Sequence, residues 1–344
     1  MKYLKLFQTQ AEYDEFNNGN IDRPNVSHIK NLGIKYNPHI PLYIEAIEDL
    51  TVTFSNTIEY SLDNVNWETL PTYTATPSIA SGQKVFFRAT GITPTQNDGI
   101  GTFSTTAKCK VGGNIMSMAY GEEYQDKVVI ENSYQFEYLF ENEENIVDAT
   151  ELYFPATTLK YACYGGMFYR CTGLISAPKQ IPVANASRFS VGMVNSPTGS
   201  SHGMFQGCTA LINAPKLPAT TLETSCYINM FKDCTSLEKV NIPPMVKYLT
   251  SKMFYGCTSL REIIVENPIP LTFYPEHFCG MADGESDNDI ELLFCVRIKR
   301  LFTRKSRCFE GVDKKKCIVR VPKESVELYK NACEWKEFNN IIEL

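Results

Sequence analysis

Cysteine is the residue type that could carry the most chemistry in this 344-residue chain, because it occurs twelve times. Thiols at suitable spacings bind zinc, form disulfides or act as nucleophiles. The sequence has no C-x-x-C pair and its four histidines are scattered, so the spacing does not indicate a zinc site. Four of the cysteines recur in one phrase, M-F-x-x-C-T-x-L. A cysteine that recurs in register predicts a small buried residue of a repeat core, with disulfide pairing of stacked thiols as the lesser alternative.

The phrase M-F-x-x-C-T-x-L begins at Met167, Met204, Met230 and Met253. Its steps of 37, 26 and 23 residues predict a stacked repeat array, because one such unit cannot bury its apolar residues without neighbours. In each unit we expect Phe and Leu to fill the core, Cys to occupy a small buried space, and the Thr hydroxyl to satisfy backbone groups at a turn. The predicted repeat core is Phe168, Cys171, Leu174, Phe205, Cys208, Leu211, Phe231, Cys234, Leu237, Phe254, Cys257 and Leu260.

Weaker copies of the phrase extend the array on both sides. Phe140, Phe278 and Phe309 fall at matching positions, so we predict seven stacked phenylalanines together with the four of the clear copies. Each Leu opens a short strand, as at residues 174–177 and 260–265, and a proline follows soon afterwards. Strands of successive units should pair in parallel, about 4.8 Å apart. Residues 111–344 are therefore predicted to form a solenoid.

Two insertions break the period, and insertions of this kind map to loops on one face of a repeat array, often the binding face. Residues 187–202 are rich in Gly and Ser, and residues 282–307 carry an acidic run followed by a basic run. The basic run could bind an acidic glycan, an anionic surface or nucleic acid; the alternative is a solvated face that balances the acidic run. The candidate binding residues are Phe189, Asn195, His202, Arg297, Lys299, Arg300, Arg304 and Lys305.

The insertions do not predict catalysis. His202 follows two serines, but there is no G-x-S-x-G motif and no carboxylate placed to orient the imidazole. Residues 283–289 alternate carboxylates as calcium loops do, yet Phe294 stands where a glutamate is expected, so a solvated loop is favoured over calcium binding. A net charge of -6 argues against a nucleic-acid surface, and no apolar run approaches the ~20 residues that cross a bilayer. We predict no enzyme activity, no cofactor, no nucleic-acid partner and no membrane insertion.

The residues before the array predict two further units in a multi-domain, mainly β protein. Residues 1–40 predict a small docking module that is too short to hold a core alone. Residues 41–110 contain short alternating segments between turn residues, which predict an antiparallel, Ig-like β-sandwich. Trp67 is its expected core anchor. The predicted strands are residues 50–54, 58–62, 66–70, 84–88 and 101–105.

The repeat resembles the BspA-like (Treponema-type) leucine-rich repeats, in which the phrase is followed by a strand and a proline. The segment from Ile318 to Phe338, with a strand, a proline, a short helix and Trp335, resembles the closing cap of such arrays. The opening, F-Q-T-Q-A-E-Y at residues 7–13 with residues 24–27 and 35–38, is similar to N-terminal modules of Bacteroidales phage and prophage structural proteins. The resemblance implies a binding or structural role and supplies no catalytic residues.

These observations predict a phage virion protein: a head or tail fibre, decoration or adhesion protein whose repeats bind a host-cell glycan or protein. Exported adhesins with such repeats carry a signal peptide, and the opening residues here lack an apolar core of that kind, so we expect assembly in the bacterial host cytoplasm. Residues 1–40 would attach to other virion proteins. By analogy with fibre proteins we expect a homo-oligomer, a homotrimer. The alternatives are a bacterial cell-surface adhesin and a purely structural virion component.

Overall fold

The computed structural model describes residues 37–181, 202–217, 229–244, 252–273 and 306–344, together with residues 227, 246, 248 and 249. The described residues are mainly β, with several sheets and few helices. One continuous cluster of buried hydrophobic side chains extends from Leu42 to Ile341. The predicted docking module lies outside the described residues, apart from residues 37–40.

The first part of the described chain consists of antiparallel strands. They are β1 (Leu42–Ala46), β2 (Val52–Phe54), β3 (Ile58–Ser61), β4 (Glu68–Leu70), β5 (Lys84–Arg88), β6 (Phe103–Thr105) and β7 (Cys109–Asn114). Strands β4, β3, β5, β1 and β7 lie side by side in that order, and β2 pairs with β6 separately. The two sheets meet at Phe103, whose ring lies 4.5 Å from that of Phe54 and 4.9 Å from that of Phe87.

The alternating sequence segments predicted β2 to β6 but missed β1 and β7. Strand β1 does not alternate in burial, because both of its faces are covered. Leu42 and Ile44 belong to the core, while the ring of Tyr43 on the other face lies under the Lys84 ammonium, 3.9 Å from the ring centroid. Strand β7 contains two glycines, which weaken any strand pattern.

Trp67 does not anchor the core, contrary to the sequence prediction. It is half-buried beside β4, and the Arg88 guanidinium lies 4.3 Å from its ring centroid. The first two residues of β4 are exposed, and only Leu70 of that strand is buried. The core space is filled instead by the phenylalanines of β2, β5 and β6.

Strand β7 joins the antiparallel part to the repeats. The strands that follow it are β8 (Ile146–Tyr153), β9 (Lys239–Ile242), β10 (Tyr248–Leu249), β11 (Glu262–Val265), β12 (Thr272–Phe273), β13 (Ile318–Val321) and β14 (Asn340–Glu343). Strand β7 pairs antiparallel with β1 on one side and parallel with β8 on the other. Residue 110, where the sequence analysis ends the sandwich, lies inside this shared strand.

Beyond β8 the repeat strands pair in parallel, in the order that the repeat predicted. Single parallel bridges connect β8 to β9 through Ser176 and Asn213. Strands β9, β11, β13 and β14 then form a four-stranded parallel sheet. A second series of parallel pairings includes the Gln180–Lys216 bridge and the β10–β12 pair.

The phenylalanines of the repeat phrase form a stacked ladder through the core. Rings 140, 168, 205, 231, 254 and 309 follow one another with centroids 5.2 to 5.8 Å apart and interplanar angles of 4° to 21°. The predicted rung at Phe278 lies outside the described residues. The rings of Phe254 and Phe309 are 5.7 Å apart, and the Phe254 N–H donates to Cys308 O, so no ring fits between them. Phe103 of β6 stacks on Phe140 at 5.6 Å and extends the ladder into the antiparallel part.

The last described residues close the ladder as the cap resemblance implied. Helix α1 (Ser117–Tyr120) lies in the antiparallel part, and α2 (Val326–Asn331) belongs to the cap. Trp335 is fully buried, contacts Phe309 and donates its indole N–H to Leu271 O at 2.9 Å. Phe338 packs edge-on against Phe309 at 5.2 Å. No helix in the described ranges is long and apolar enough to span a membrane.

Candidate binding surface

The cysteine of each repeat phrase donates a hydrogen bond to the neighbouring unit. Each thiol donates to the carbonyl oxygen of the phenylalanine one rung earlier, at 2.9 to 3.1 Å. Burial raises the pKa of these four thiols. They therefore stay protonated and serve as donors, not as thiolate nucleophiles. The pairs are Cys171 with Phe140, Cys208 with Phe168, Cys234 with Phe205, and Cys257 with Phe231.

The structure places all twelve predicted repeat-core residues in the interior, none of them more than 2% exposed. The threonine that follows the cysteine lies at the surface turn. The hydroxyls of Thr209, Thr235 and Thr258 each donate to the backbone carbonyl of the threonine one unit earlier, at 3.3 to 3.5 Å. The recurring spacing of the phrase thus builds two hydrogen-bond ladders beside the aromatic one.

The residue two positions after each ladder phenylalanine has a left-handed backbone, which the sequence did not predict. In the four clear copies of the phrase this residue directly precedes the cysteine. Its N–H donates to the next unit, as from Asp233 to Tyr255 O at 2.7 Å and from Gly207 to Lys232 O at 2.8 Å. Gly, Asn and Asp adopt this conformation most readily, and their frequency at this position was the available signal. The φ angles are 58° at Asn142, 58° at Arg170, 78° at Gly207, 61° at Asp233, 75° at Gly256 and 92° at Gly311.

His202, the one candidate binding residue that the structure describes, packs against the edge of the stack. Its ring lies nearly parallel to Tyr169, with centroids 4.1 Å apart, and Nδ1 shares a 2.7 Å hydrogen bond with Tyr138 Oη. Partial burial lowers the pKa of His202, and the nearby charges of Arg170 and Lys232 lower it further. The imidazole is therefore neutral at neutral pH. It anchors the end of the first insertion to the stack.

The other candidate binding residues lie outside the described residues, as does the acidic loop 283–289. They are Phe189, Asn195, Arg297, Lys299, Arg300, Arg304 and Lys305. The described residues on either side show where the two insertions join the repeat. On the near side, Ile181 and Phe273 follow the second series of strands. On the far side, His202 and Ser306 each lie three residues before a ladder phenylalanine. Both insertions therefore interrupt the same part of the repeat.

The outer face of the parallel sheet is exposed at β9 and partly exposed at β11 and β13. Burial alternates along β9, β11 and β13, so every second side chain points away from the core. Glu262 lies between Lys239 Nζ at 2.6 Å and Arg320 Nε at 2.7 Å, and these two cations lower the pKa of its carboxyl. Just before the strands of earlier units, Ile175 and Ile212 are 45% and 38% exposed. This side of the repeats thus carries exposed isoleucines in its earlier units and charged side chains in its later ones.

Comparison with known families agrees with this geometry. A family model described as BspA type leucine rich repeat region, in six copies, matches residues 186–279. That stretch includes the clear copies of the phrase that begin at Met204, Met230 and Met253. These repeats are similar to BspA-type leucine-rich repeats, which indicates a repeat protein of the surface or adhesion type. A search of curated proteins found no match, and a search of solved structures found none.

Proposed function

We propose that this protein is a non-enzymatic, virion-associated fibre, decoration or adhesion protein of a bacteriophage, which displays its leucine-rich repeats to host-cell glycans or proteins. The observation that carries the adhesive role is the match to BspA-type repeats, together with the partly exposed outer face of the parallel sheet and the exposed Ile175 and Ile212 beside it. The resemblance of the opening residues to phage structural modules supports the virion role. Residues 1–40 would attach the chain to other virion proteins.

The same proposal includes the finer architecture. The antiparallel strands would form an Ig-like sandwich that acts as a spacer, and the repeats a solenoid that Trp335 closes. Assembly would take place in the cytoplasm of the bacterial host. A homotrimer on the particle would let weak single contacts add into useful avidity.

Quantitative mass spectrometry of purified phage particles tests the virion role. We expect this chain at a fixed copy number per particle. Its absence from particles, with its presence in a bacterial surface fraction, would support a cell-surface adhesin instead. Presence in particles without any binding to host cells would support a purely structural role.

Binding of the full chain to host cells tests the adhesive surface. The full chain is used because one core runs through both parts. We expect Ile212→Arg on the exposed face to reduce cell binding at least about tenfold, as loss of a central interface contact does. Leu328→Arg is the matched control, because Leu328 is an exposed leucine, 55% accessible, on the cap helix. Equal binding by both variants would contradict a role for this face.

A further inference from the structure

A small cleft lies at the joint between the antiparallel strands and the repeats, and nothing in the proposed function assigns it a role. Its volume is about 200 Å³. Its walls include Tyr43 of β1, Glu151 and Tyr153 of β8, and Lys179 beyond the first repeat strand. It is therefore built from both parts of the protein.

The floor of the cleft requires glycine. A Cβ at Gly112 would lie 2.4 Å from Tyr43 Oη. A Cβ at Gly113, whose φ is +83°, would lie 2.0 Å from Pro41 O. Two adjacent residues without side chains therefore let the Tyr43 ring lie across β7 and leave the depression open.

Glu151 and one wall segment of the cleft are held in place before any ligand arrives. Tyr43 Oη donates a hydrogen bond to Glu151 Oε2, and no residue in the described ranges forms a hydrogen bond with Glu151 Oε1. The segment that carries Asn37 and Ile40 is pinned to β7, because Asn114 donates from its backbone to Ile40 O at 2.8 Å and from its side chain to Pro38 O at 3.1 Å. A preformed site of this kind loses little entropy on binding.

The lining indicates the chemical class of the ligand. Glu151, an exposed side chain, supplies a charged hydrogen-bond acceptor at the rim, and the edges of the buried Tyr43 and Tyr153 line the inner wall. A carboxylate beside aromatic edges suits a ligand that presents hydroxyl donors on a compact ring. The volume is below the ~300–1,000 Å³ of drug-sized pockets, so the cleft takes a single ring. We propose that it binds one neutral pyranose unit of a surface glycan.

This inference rests on the proposed adhesive function and gives it a defined subsite away from the repeat face. It is tested on the full chain by saturation-transfer NMR with the methyl glycosides of glucose, galactose, mannose, fucose and N-acetylglucosamine. We expect saturation transfer to at least one glycoside. Glu151→Gln should weaken it at least about tenfold, since it removes a charged hydrogen-bond acceptor. Glu144→Gln, at an exposed glutamate of the preceding turn, should leave binding unchanged.

Tyr43→Phe separates the role of the Tyr43 hydroxyl, which positions Glu151, from the contact between Glu151 and the ligand. It removes the hydroxyl that holds Glu151 and keeps the ring, so we expect intermediate affinity and an unchanged melting temperature within about 2 °C. Saturation transfer to none of the glycosides, or equal transfer with Glu151→Gln, would overturn the inference. Preferential binding of ethylammonium, used as a cationic probe, would overturn it as well.

Cell binding distinguishes this result from the proposed function. A chain that binds host cells equally well with and without Glu151→Gln, and binds no glycoside, would refute the cleft and keep the adhesive role. A chain that binds a glycoside through Glu151 but no host cell would support the cleft and refute adhesion to that host.

Discussion

Replacing Glu137 with glutamine should stabilise the protein at neutral pH. Glu137 is fully buried where the 95–99 loop meets the first repeat unit. Its Oε2 accepts a hydrogen bond from the Asn97 N–H at 2.8 Å, while its Oε1 has no hydrogen-bond partner in the described part of the chain. Burial raises the pKa of this carboxyl to about 8, and the negative charges of Asp98 and Glu141 contribute in the same direction.

The sign and size of the effect follow from the two pKa values. Below pH 4.5, the ordinary value, the carboxyl is protonated in both the folded and the unfolded chain. Between pH 4.5 and about 8 it ionises in the unfolded chain first, so the folded state binds more protons and stability falls as pH rises. At ~1.4 kcal/mol per pH unit, the free energy of unfolding falls by roughly 3 kcal/mol between pH 4.5 and pH 7. Above about pH 8 this loss stops growing.

Urea unfolding, followed by circular dichroism at several pH values from 4.5 to 8.5, measures this difference. Glu137→Gln keeps an acceptor for Asn97 and removes the charge, so its advantage over the wild type should be near zero at pH 4.5 and up to about 3 kcal/mol at pH 7. Glu143→Gln is the control. Glu143 accepts three hydrogen bonds, from Thr105 N, Thr105 Oγ1 and Asn145 N, so its replacement should destabilise. Parallel pH profiles of the wild type and Glu137→Gln would refute the reasoning.

Three other predictions concern the ladder and the joint. Phe231→Ala removes a ring stacked on both sides and should cost about 3–5 kcal/mol by thermal or urea unfolding, with Phe231→Leu costing less; a loss below 1 kcal/mol would contradict a packed ladder. Cys208→Val removes the donor to Phe168 O and should cost about 1–3 kcal/mol, whereas Cys208→Ser can keep that bond and should unfold nearer the wild type. Gly113→Ala must move Pro41 O and should lower the melting temperature by several degrees, and an unchanged value would show that the joint can yield.

The local pattern was enough to predict the ladder but not every rung of it. Phe140 and Phe309 were found from their spacing and lie in the stack. Phe254 stacks directly on Phe309, although the second insertion separates the two in sequence. Spacing along the chain cannot tell which rings are neighbours in the stack, because an insertion of any length leaves the stacking distance unchanged.

Residues whose environment comes from distant chain segments were predicted poorly. Trp67 was expected in the core because of its residue type, but its place is set by the edge strand β4 and by Arg88. Strand β1 was missed because its outer face carries the aromatic Tyr43, which Lys84 and Glu151 cover. The sequence of β1 therefore lacks the alternation of apolar and polar residues that marks a strand. Neither contact is visible in the local sequence.

The sequence by itself determined the repeat unit, its parallel stacking and the burial of Phe, Cys and Leu, because the same local interactions recur in every unit. Tertiary structure alone decided that β7 pairs antiparallel with β1 and parallel with β8, so that one core crosses from the first part into the repeats. It also decided that a cleft forms beside Gly112 and Gly113 and that Glu137 is buried away from solvent. These features depend on contacts between segments that are distant in the chain, and such contacts cannot be predicted from the periodicity of the sequence.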